Sequence, residues 1–347
     1  MENESACKGT EIMGEQRIWV IGGANIDIIG HASHQLKDYD SNMGDIKKSF
    51  GGVGRNIAQA CAELGESVSL VTCFGADDYG NLIKENCVNL GIDTSFSITS
   101  KKHPTSTYLA ILDEKRDMRI AMNDMRILEE IDEHVLKTAL DEMTLDDYLV
   151  LDSNLEPSLI EYITENTPAK IASDPVSAAK IPRLKSVLNR ISIFKPNAIE
   201  SKELTGIEIV DDETARDSLD WFIDRGVEEI IITLGERGIL FGNKDEKLWI
   251  THKTVKMDSA NGGGDAMFGA YLSRKIKRED SDSAIRFAIA AAVLKVSGES
   301  ELNNNSETQT LSNAGNDSTR DRNRRALERE KRIIETINTL DIKERKL

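Results

Sequence analysis

The sequence is poor in cysteine, in basic charge and in long apolar runs, and each shortage removes a class of protein. Its four cysteines, Cys7, Cys61, Cys73 and Cys87, stand 54, 12 and 14 positions apart, with no CxxC pair and no histidine at zinc-ligand spacing. They read as reduced thiols, three of them in or near the core, in a reducing compartment. Lys and Arg number 44 against 60 Asp and Glu, a formal charge of −16 with a pI near 4.9. That balance repels a phosphate backbone and argues against a nucleic-acid partner. No apolar run approaches the roughly 18 residues needed to cross a bilayer. Residues Met1–Gly14 are acidic and polar where a secretory leader would be basic and then apolar. The expectation is a cytoplasmic chain with no membrane partner.

What is present is ordinary globular material. Hydrophobic residues at 39% and 24 glycines in 347 residues bring the apolar share to roughly 46%. Disorder throughout is excluded, and the length leaves one large domain or two open. Short apolar or β-branched runs at Arg17–Gly22, Val68–Phe74, Tyr148–Asp152, Ile171–Ser173, Ile191–Phe194 and Glu229–Leu234 predict buried strands. Between them, Arg55–Leu64, Leu82–Leu90, Ser158–Glu165, Ser201–Leu204, Thr214–Arg225 and Asp265–Lys275 have helical character. Strand alternating with helix predicts an α/β fold whose mostly parallel sheet is covered on both faces, with ligand sites at the carboxyl ends of its strands.

Two segments break that rhythm. Ile28–Phe50 and Ser95–Met122 lack a helical period and carry alternating stretches, which predicts a smaller sheet outside the main body, placed as a lid. Near the other end, Asn303–Ser318 holds five Asn in 16 residues and predicts a flexible segment. Arg320–Arg332, with seven basic and three acidic residues, leads into Ile333, Ile334, Ile337 and Leu340 at helical spacing. A charged helix packed on the body, or one that binds a partner or an anionic surface, fits that pattern.

Chemistry is densest at Asp258–Met267. Gly262, Gly263 and Gly264 at a helix start let backbone N–H groups approach an anion closely, and the helix dipole favours negative charge there. Asp265, beside that cradle, is placed to take a proton from a hydroxyl attacking a bound phosphoryl group. A plain glycine turn with an acidic helix start is the alternative. Asn25 and Asp27 follow the first strand in Gly22–Asp27, and Gly51, Gly52 and Asn56 open the next helix in Phe50–Ala58; together they offer what a polyol needs. Asn197 and Glu200, three apart at a helix start, could hold a hydrated magnesium ion or simply cap the helix. Thr233, Gly235 and Gly238 end the EIIITL strand in a turn suited to an adjacent nucleotide.

Taken in order, GGANID, GGVGRN, KPNAIE, TLGERG and NGGGDA resemble the ribokinase-like PfkB family of sugar and nucleoside kinases over roughly Arg17–Glu299. Within it, Ala121–Met125 with Ile127 and Leu128, Leu151–Leu155 and Asp174–Lys180 resemble the pseudouridine kinase subfamily. The resemblance implies a three-layer α/β/α domain over 17–299 with a small β-sheet lid within 28–50 and 95–122. Outside that stretch, composition predicts a flexible tail at 1–16, an Asn/Ser-rich flexible segment at 300–319 and a charged helix at 320–347. The implied reaction is transfer of the ATP γ-phosphoryl group, with Mg²⁺, to the 5′-hydroxyl of pseudouridine; another nucleoside or sugar kinase is the alternative, and a catalytically silent ligand-binding relative a further one.

On this mapping Asp265 is the general base and the Gly262–Gly264 amides are the anion hole. Asn25, Asp27, Gly51, Gly52 and Asn56 fall on ribose positions, Asn197 and Glu200 on the magnesium-organising NxxE element, and Thr233, Gly235 and Gly238 on the nucleotide side. Asn123, Asp124 and Asn154 would position the base or close the site. A homodimer joined through the lid is also implied. Two departures stand out: Asn261 and Gly263 replace the Thr and Ala usual in the family's anion-hole motif. Ser259 stands where a carboxylate or Asn is common, which argues against the monovalent-cation site of some relatives.

Overall fold

The computed structural model describes residues 16–253, 262–298 and 318–347. Residues 1–15 of the expected tail, Ser259, Asn261 and residues 300–317 of the Asn/Ser-rich segment lie outside the described residues. The chain opens with β1 (Ile18–Ile21), β2 (Asn25–Ala32), β3 (Gly44–Gly51), α1 (Val53–Glu63), β4 (Val68–Val71), β5 (Cys73–Gly75), α2 (Asp78–Asn89) and β6 (Ile98–Ser100). It continues through β7 (Thr107–Leu112), β8 (Met118–Asp124), α3 (Glu133–Glu142), β9 (Tyr148–Asp152), α4 (Pro157–Asn166), β10 (Lys170–Asp174), a 3-10 segment (Ile181–Arg190), β11 (Ile191–Phe194), α5 (Ala198–Thr205) and α6 (Asp212–Ile223). It ends with β12 (Glu229–Thr233), β13 (Ile239–Gly242), β14 (Lys247–Thr251), α7 (Gly263–Ile276), α8 (Ser281–Val296), α9 (Thr319–Ile337) and β15 (Lys343–Lys346).

The main sheet runs β15-β14-β13-β12-β11-β10-β9-β1-β4. It is parallel from β4 to β12 and antiparallel beyond. Period-two alternation sends neighbouring side chains to opposite faces. Ile18 and Val20 therefore join one core with α1, α7 and α8, while Trp19 and Ile21 join the other with α3, α4 and α6. Both faces are covered, as a near-continuous run such as IWVI requires. From β1 the chain steps to β4 on one side and later returns as β9 on the other, which puts the reversal of strand order beside β1. Open α/β sheets bind ligands at that crevice.

A separate four-stranded sheet, β3-β2-β7-β8, grows from the end of β1. It contains the strands expected in the two irregular segments, with one correction: Ile98–Ser100 pairs instead with Cys73–Gly75 in a two-stranded sheet. The expected single strand Val68–Phe74 is correspondingly split between β4 and β5. The carboxyl terminus also differs from a simple helix. Helix α9 docks through buried Ala326 and Ile333 and the Arg274–Glu330 ion pair at 2.6 Å. The chain then turns, buries Leu340 and adds β15 to the edge of the main sheet, with Arg345 stacked 4.1 Å over Trp249. A strand reading KERK has no apolar alternation to announce it. Its charges keep an exposed sheet edge from pairing further.

Candidate active site

The carboxyl ends of the parallel strands deliver the site. Strand β1 leads into Gly22-Gly23 and β11 into Lys195, while β9 ends in Asp152, β10 in Asp174 and β12 in Thr233. Asp152 is fully buried and accepts from Gly23 N at 2.7 Å and Asn154 N at 2.9 Å, which ties the first loop to the end of β9. Gly22 has to be glycine here, since a Cβ would stand 2.4 Å from Asp152 Oδ2.

Helix α7 starts at Gly262, which has φ of 76°, a left-handed conformation that glycine adopts without strain. Gly263 packs on α8: a Cβ there would meet Val296 Cγ1 at 2.7 Å. Gly264 is exposed, and the first-turn amides are those that helix geometry leaves without an intrahelical acceptor. Asp265, in this first turn, accepts from Asn56 Nδ2 of α1 at 2.8 Å. The contact joins two motifs 209 residues apart in sequence.

From Asn56 the network continues to the small sheet. Arg55, buried beside Asn56, donates to Gly51 O at 3.0 Å and Phe50 O at 3.1 Å. Asn25 Nδ2 donates to Asp27 Oδ1 at 2.6 Å. Burial raises the Asp27 carboxyl above its usual range, partly offset by the Asn25 bond and the Arg55 charge. Gly51 leaves room for this carboxylate, because a Cβ would lie 2.3 Å from Asp27 Oδ1. Gly52, with φ of 96°, lies where a Cβ would come within 2.4 Å of Gly23 O.

A buried ion pair that the sequence reading did not single out lies beneath Asp265. Lys195 Nζ is 2.8 Å from Asp174 Oδ2, with both residues almost fully buried. Burial opposes the Lys195 charge, but Asp174, then Asp265 and Glu200, outweigh it and raise its pKa. Asp265 itself is pushed up to about 6, first by burial and then by Asp174, against Asn56, Lys195 and Arg55. The only sequence signal for the pair was its position, since Asp174 and Lys195 each stand where an apolar strand ends. Lys195 Nζ lies 3.4 Å from where a Cβ on Gly264 would stand, so one fixed positive charge sits under the cradle.

Asn197 and Glu200 form a capping box on α5. Asn197 Oδ1 accepts from Ile199 N and Glu200 N at 2.9 Å each, and Glu200 Oε2 accepts from Asn197 N at 2.8 Å. Of the two readings open for this pair, capping is therefore realised. Burial pushes the Glu200 carboxyl up to about 7, Asp174 adds to this, and the Asn197 amide and Lys195 oppose it. Among the described residues no group of three His, Cys, Asp or Glu side chains is arranged to hold a metal ion. Thr233 N donates to Pro196 O at 3.1 Å beside this box. Gly235 opens onto free space, whereas Gly238 is fixed by packing, a Cβ there lying 2.1 Å from Ile250 O.

Asn123, Asp124 and Asn154 are brought together elsewhere, around a cavity of about 590 Å³ between the small sheet and the loops after β9 and β10. Asp124 is held by Arg126 in a two-bond pair at 2.9 and 2.6 Å, and this bonding pulls its carboxyl down to about 2. Asn154 borders both this cavity and the Gly23 loop, its Nδ2 lying 3.1 Å from where a Cβ on Gly23 would stand. Lys180 and Arg183, unremarked as site residues in the sequence, line the same cavity.

Residues 15–309 match the family model described as pfkB family carbohydrate kinase. The pseudouridine kinase of Escherichia coli strain K12 is 30% identical over 282 residues, covering 81% of this chain and 90% of that protein. The ribokinase of Thermotoga maritima superposes with a TM-score of 0.71 at 24% identity over 90% of this chain and 99% of the other. Arabidopsis thaliana ribokinase, solved with ribose and ATP, superposes with a TM-score of 0.70 at 17% identity over 90% and 99%.

Proposed function

The chain belongs to the pfkB family of carbohydrate kinases, and we propose that within it the acceptor is pseudouridine, phosphorylated by ATP on its 5′-hydroxyl. The observation that carries the chemistry is the contact between Asp265 and Asn56, which sets a carboxylate of raised pKa at a glycine-rich helix start and next to the polyol motifs. The identity to the E. coli pseudouridine kinase supports the choice of acceptor.

In the proposed reaction Asp265 takes the proton of the 5′-hydroxyl as its oxygen forms a bond to the γ-phosphorus. The bond from that phosphorus to the β-bridging oxygen breaks, and ADP leaves. The proton on Asp265 is then released to solvent. Amides of Gly263 and Gly264, with the α7 dipole and the Lys195 charge behind them, stabilise the charge on the transferring group. Asn25 and Asp27 hold the ribose, and Thr233 and Gly235 flank the nucleotide. Nucleotide phosphates supply most ligands of a kinase magnesium ion. This chain's contribution would be Glu200 through water, since one of its oxygens and Asn197 are used in the capping box. The ion would neutralise charge on the β- and γ-phosphates.

Three free buried cysteines suit a cytoplasmic enzyme. Ile46, Ile120 and Met122, exposed on one face of the small sheet, suit a homodimer formed through it. A coupled ADP-release assay over pseudouridine, uridine, adenosine, ribose and fructose 6-phosphate tests the reading, with the highest kcat/KM expected for pseudouridine. Pseudouridine presents an extra ring N–H, and a site built for such a group rejects analogues lacking it. Uridine turning over equally well would sink the assignment.

A further inference from the structure

Asn154 is bracketed by two opposite charges. On one side Lys180 Nζ donates to Asn154 Oδ1. An ammonium has donors only, so the amide must turn its oxygen toward it. On the other side the buried Asp152 carboxyl stands two residues away in the chain. Asp152 accepts the backbone N–H groups of Gly23 and Asn154, which fixes the loop that carries the amide. A flipped amide would set donor against donor at Lys180. Arg183 holds the surrounding loop, donating to Asn154 O at 3.1 Å and Leu155 O at 2.9 Å. The amide nitrogen, turned away from Lys180, borders the Gly23 loop, and Asn154 lines the 590 Å³ cavity.

We infer that Lys180 is a specificity-determining positioning residue, which locks Asn154 so that it offers the nucleoside a fixed N–H donor and selects an acceptor oxygen at that position. Lys180 touches the amide and need not touch the substrate. Burial lowers the pKa of its half-buried amine and Arg183 adds to this, while Asp152 opposes them and favours the ammonium form. The inference rests on the reading of this cleft as the nucleoside site.

The test is a double-mutant cycle on the full chain with Lys180→Met and Asn154→Ala, measuring KM for the preferred acceptor, KM for ATP and kcat. Loss of one such hydrogen bond corresponds to about a three- to ten-fold change in affinity. Lys180→Met is expected to raise acceptor KM by about that factor, with ATP KM and kcat within about two-fold and the melting temperature little changed. Lys180→Arg, which also donates, should recover part of the loss. The double variant should be no weaker than Asn154→Ala alone, because the lock acts only through that amide. Additive losses, an unchanged acceptor KM in Lys180→Met, or a loss confined to ATP KM would each overturn the inference. Preference for a panel member other than pseudouridine overturns the substrate assignment but leaves the cycle measurable with that compound. Absence of turnover with every member overturns both.

Discussion

Asp265→Asn is expected to remove most turnover while leaving nucleoside affinity within about three-fold. The amide is nearly isosteric with the carboxylate, and its oxygen can still accept the 2.8 Å hydrogen bond from Asn56. What it loses is the ability to take a proton, and removing a general base costs about 10²–10⁴ in rate. Burial, with Asp174 nearby, raises the wild-type carboxyl to about 6, so kcat/KM should fall as the pH drops through that value. The residual activity of the variant should lack this acid limb. Stability gives an independent reading. A carboxyl whose folded pKa lies above its unfolded value near 3.9 costs stability while ionised in the fold; the cost is full above about pH 6 and fades out near pH 4 and below. Two units correspond to about 3 kcal/mol, and water at a partly exposed cleft reduces this to about 1–2 kcal/mol. The variant should therefore melt above the wild type at pH 8 and lose that advantage near pH 4. Steady-state ADP release, calorimetric titration of nucleoside and thermal melts at the two pH values make the comparison. A wild-type kcat in a folded Asp265→Asn variant would refute the assignment of the base, and the mechanism built on it.

Two further outcomes follow from the same geometry. Asp27→Asn should chiefly weaken nucleoside binding, by about 1–3 kcal/mol where a buried hydroxyl loses its acceptor, with kcat within a few-fold; a loss in kcat alone would remove Asp27 from the ribose contacts. Saturating nucleoside should slow amide exchange in β2, β3, β7 and β8 if the small sheet closes over the site and excludes water. Unchanged exchange would leave these as ordinary surface strands.

The parallel half of the sheet was legible because IWVI, YLVLD and EIIIT have apolar or β-branched centres, and because Gly22, Asp152 and Gly235 stand at or just after their ends. β13 (ILFG) and β14 (KLWIT) carry a similar apolar run, with Gly238, Gly242 and Asn243 around the first, although they were not among the expected strands, whereas β15, whose four residues are all charged, carries no such signal. Helix α8 was hidden for the opposite reason. It is rich in Ala and apolar around most of its circumference, since it is sandwiched between α7 and α9, and so shows no polar face to set a period.

The site shows why local motifs carry less than their arrangement. Gly51 and Gly52 looked like residues kept for close approach of a ligand, yet each has an internal reason: one clears the Asp27 carboxylate and the other clears the Gly23 carbonyl. Gly263 likewise makes room for Val296, whereas a Cβ on Gly264 would make only an ordinary contact with Lys195 Nζ at 3.4 Å and Gly235 opens onto free space. A glycine kept for packing and one kept for a phosphate look the same in sequence, because both are defined only by the absence of a side chain. The charged partners have the same ambiguity in reverse. Lys195, Asp174 and Lys180 are single polar residues at strand ends or just beyond, indistinguishable from solvated ones until the fold buries or half-buries them. Burial turns them into fixed charges around Asp265 and Asn154. On the proposed reading, substrate discrimination depends on which polar atoms the fold leaves able to meet a ligand, and Lys180 would set this without itself reaching the ligand.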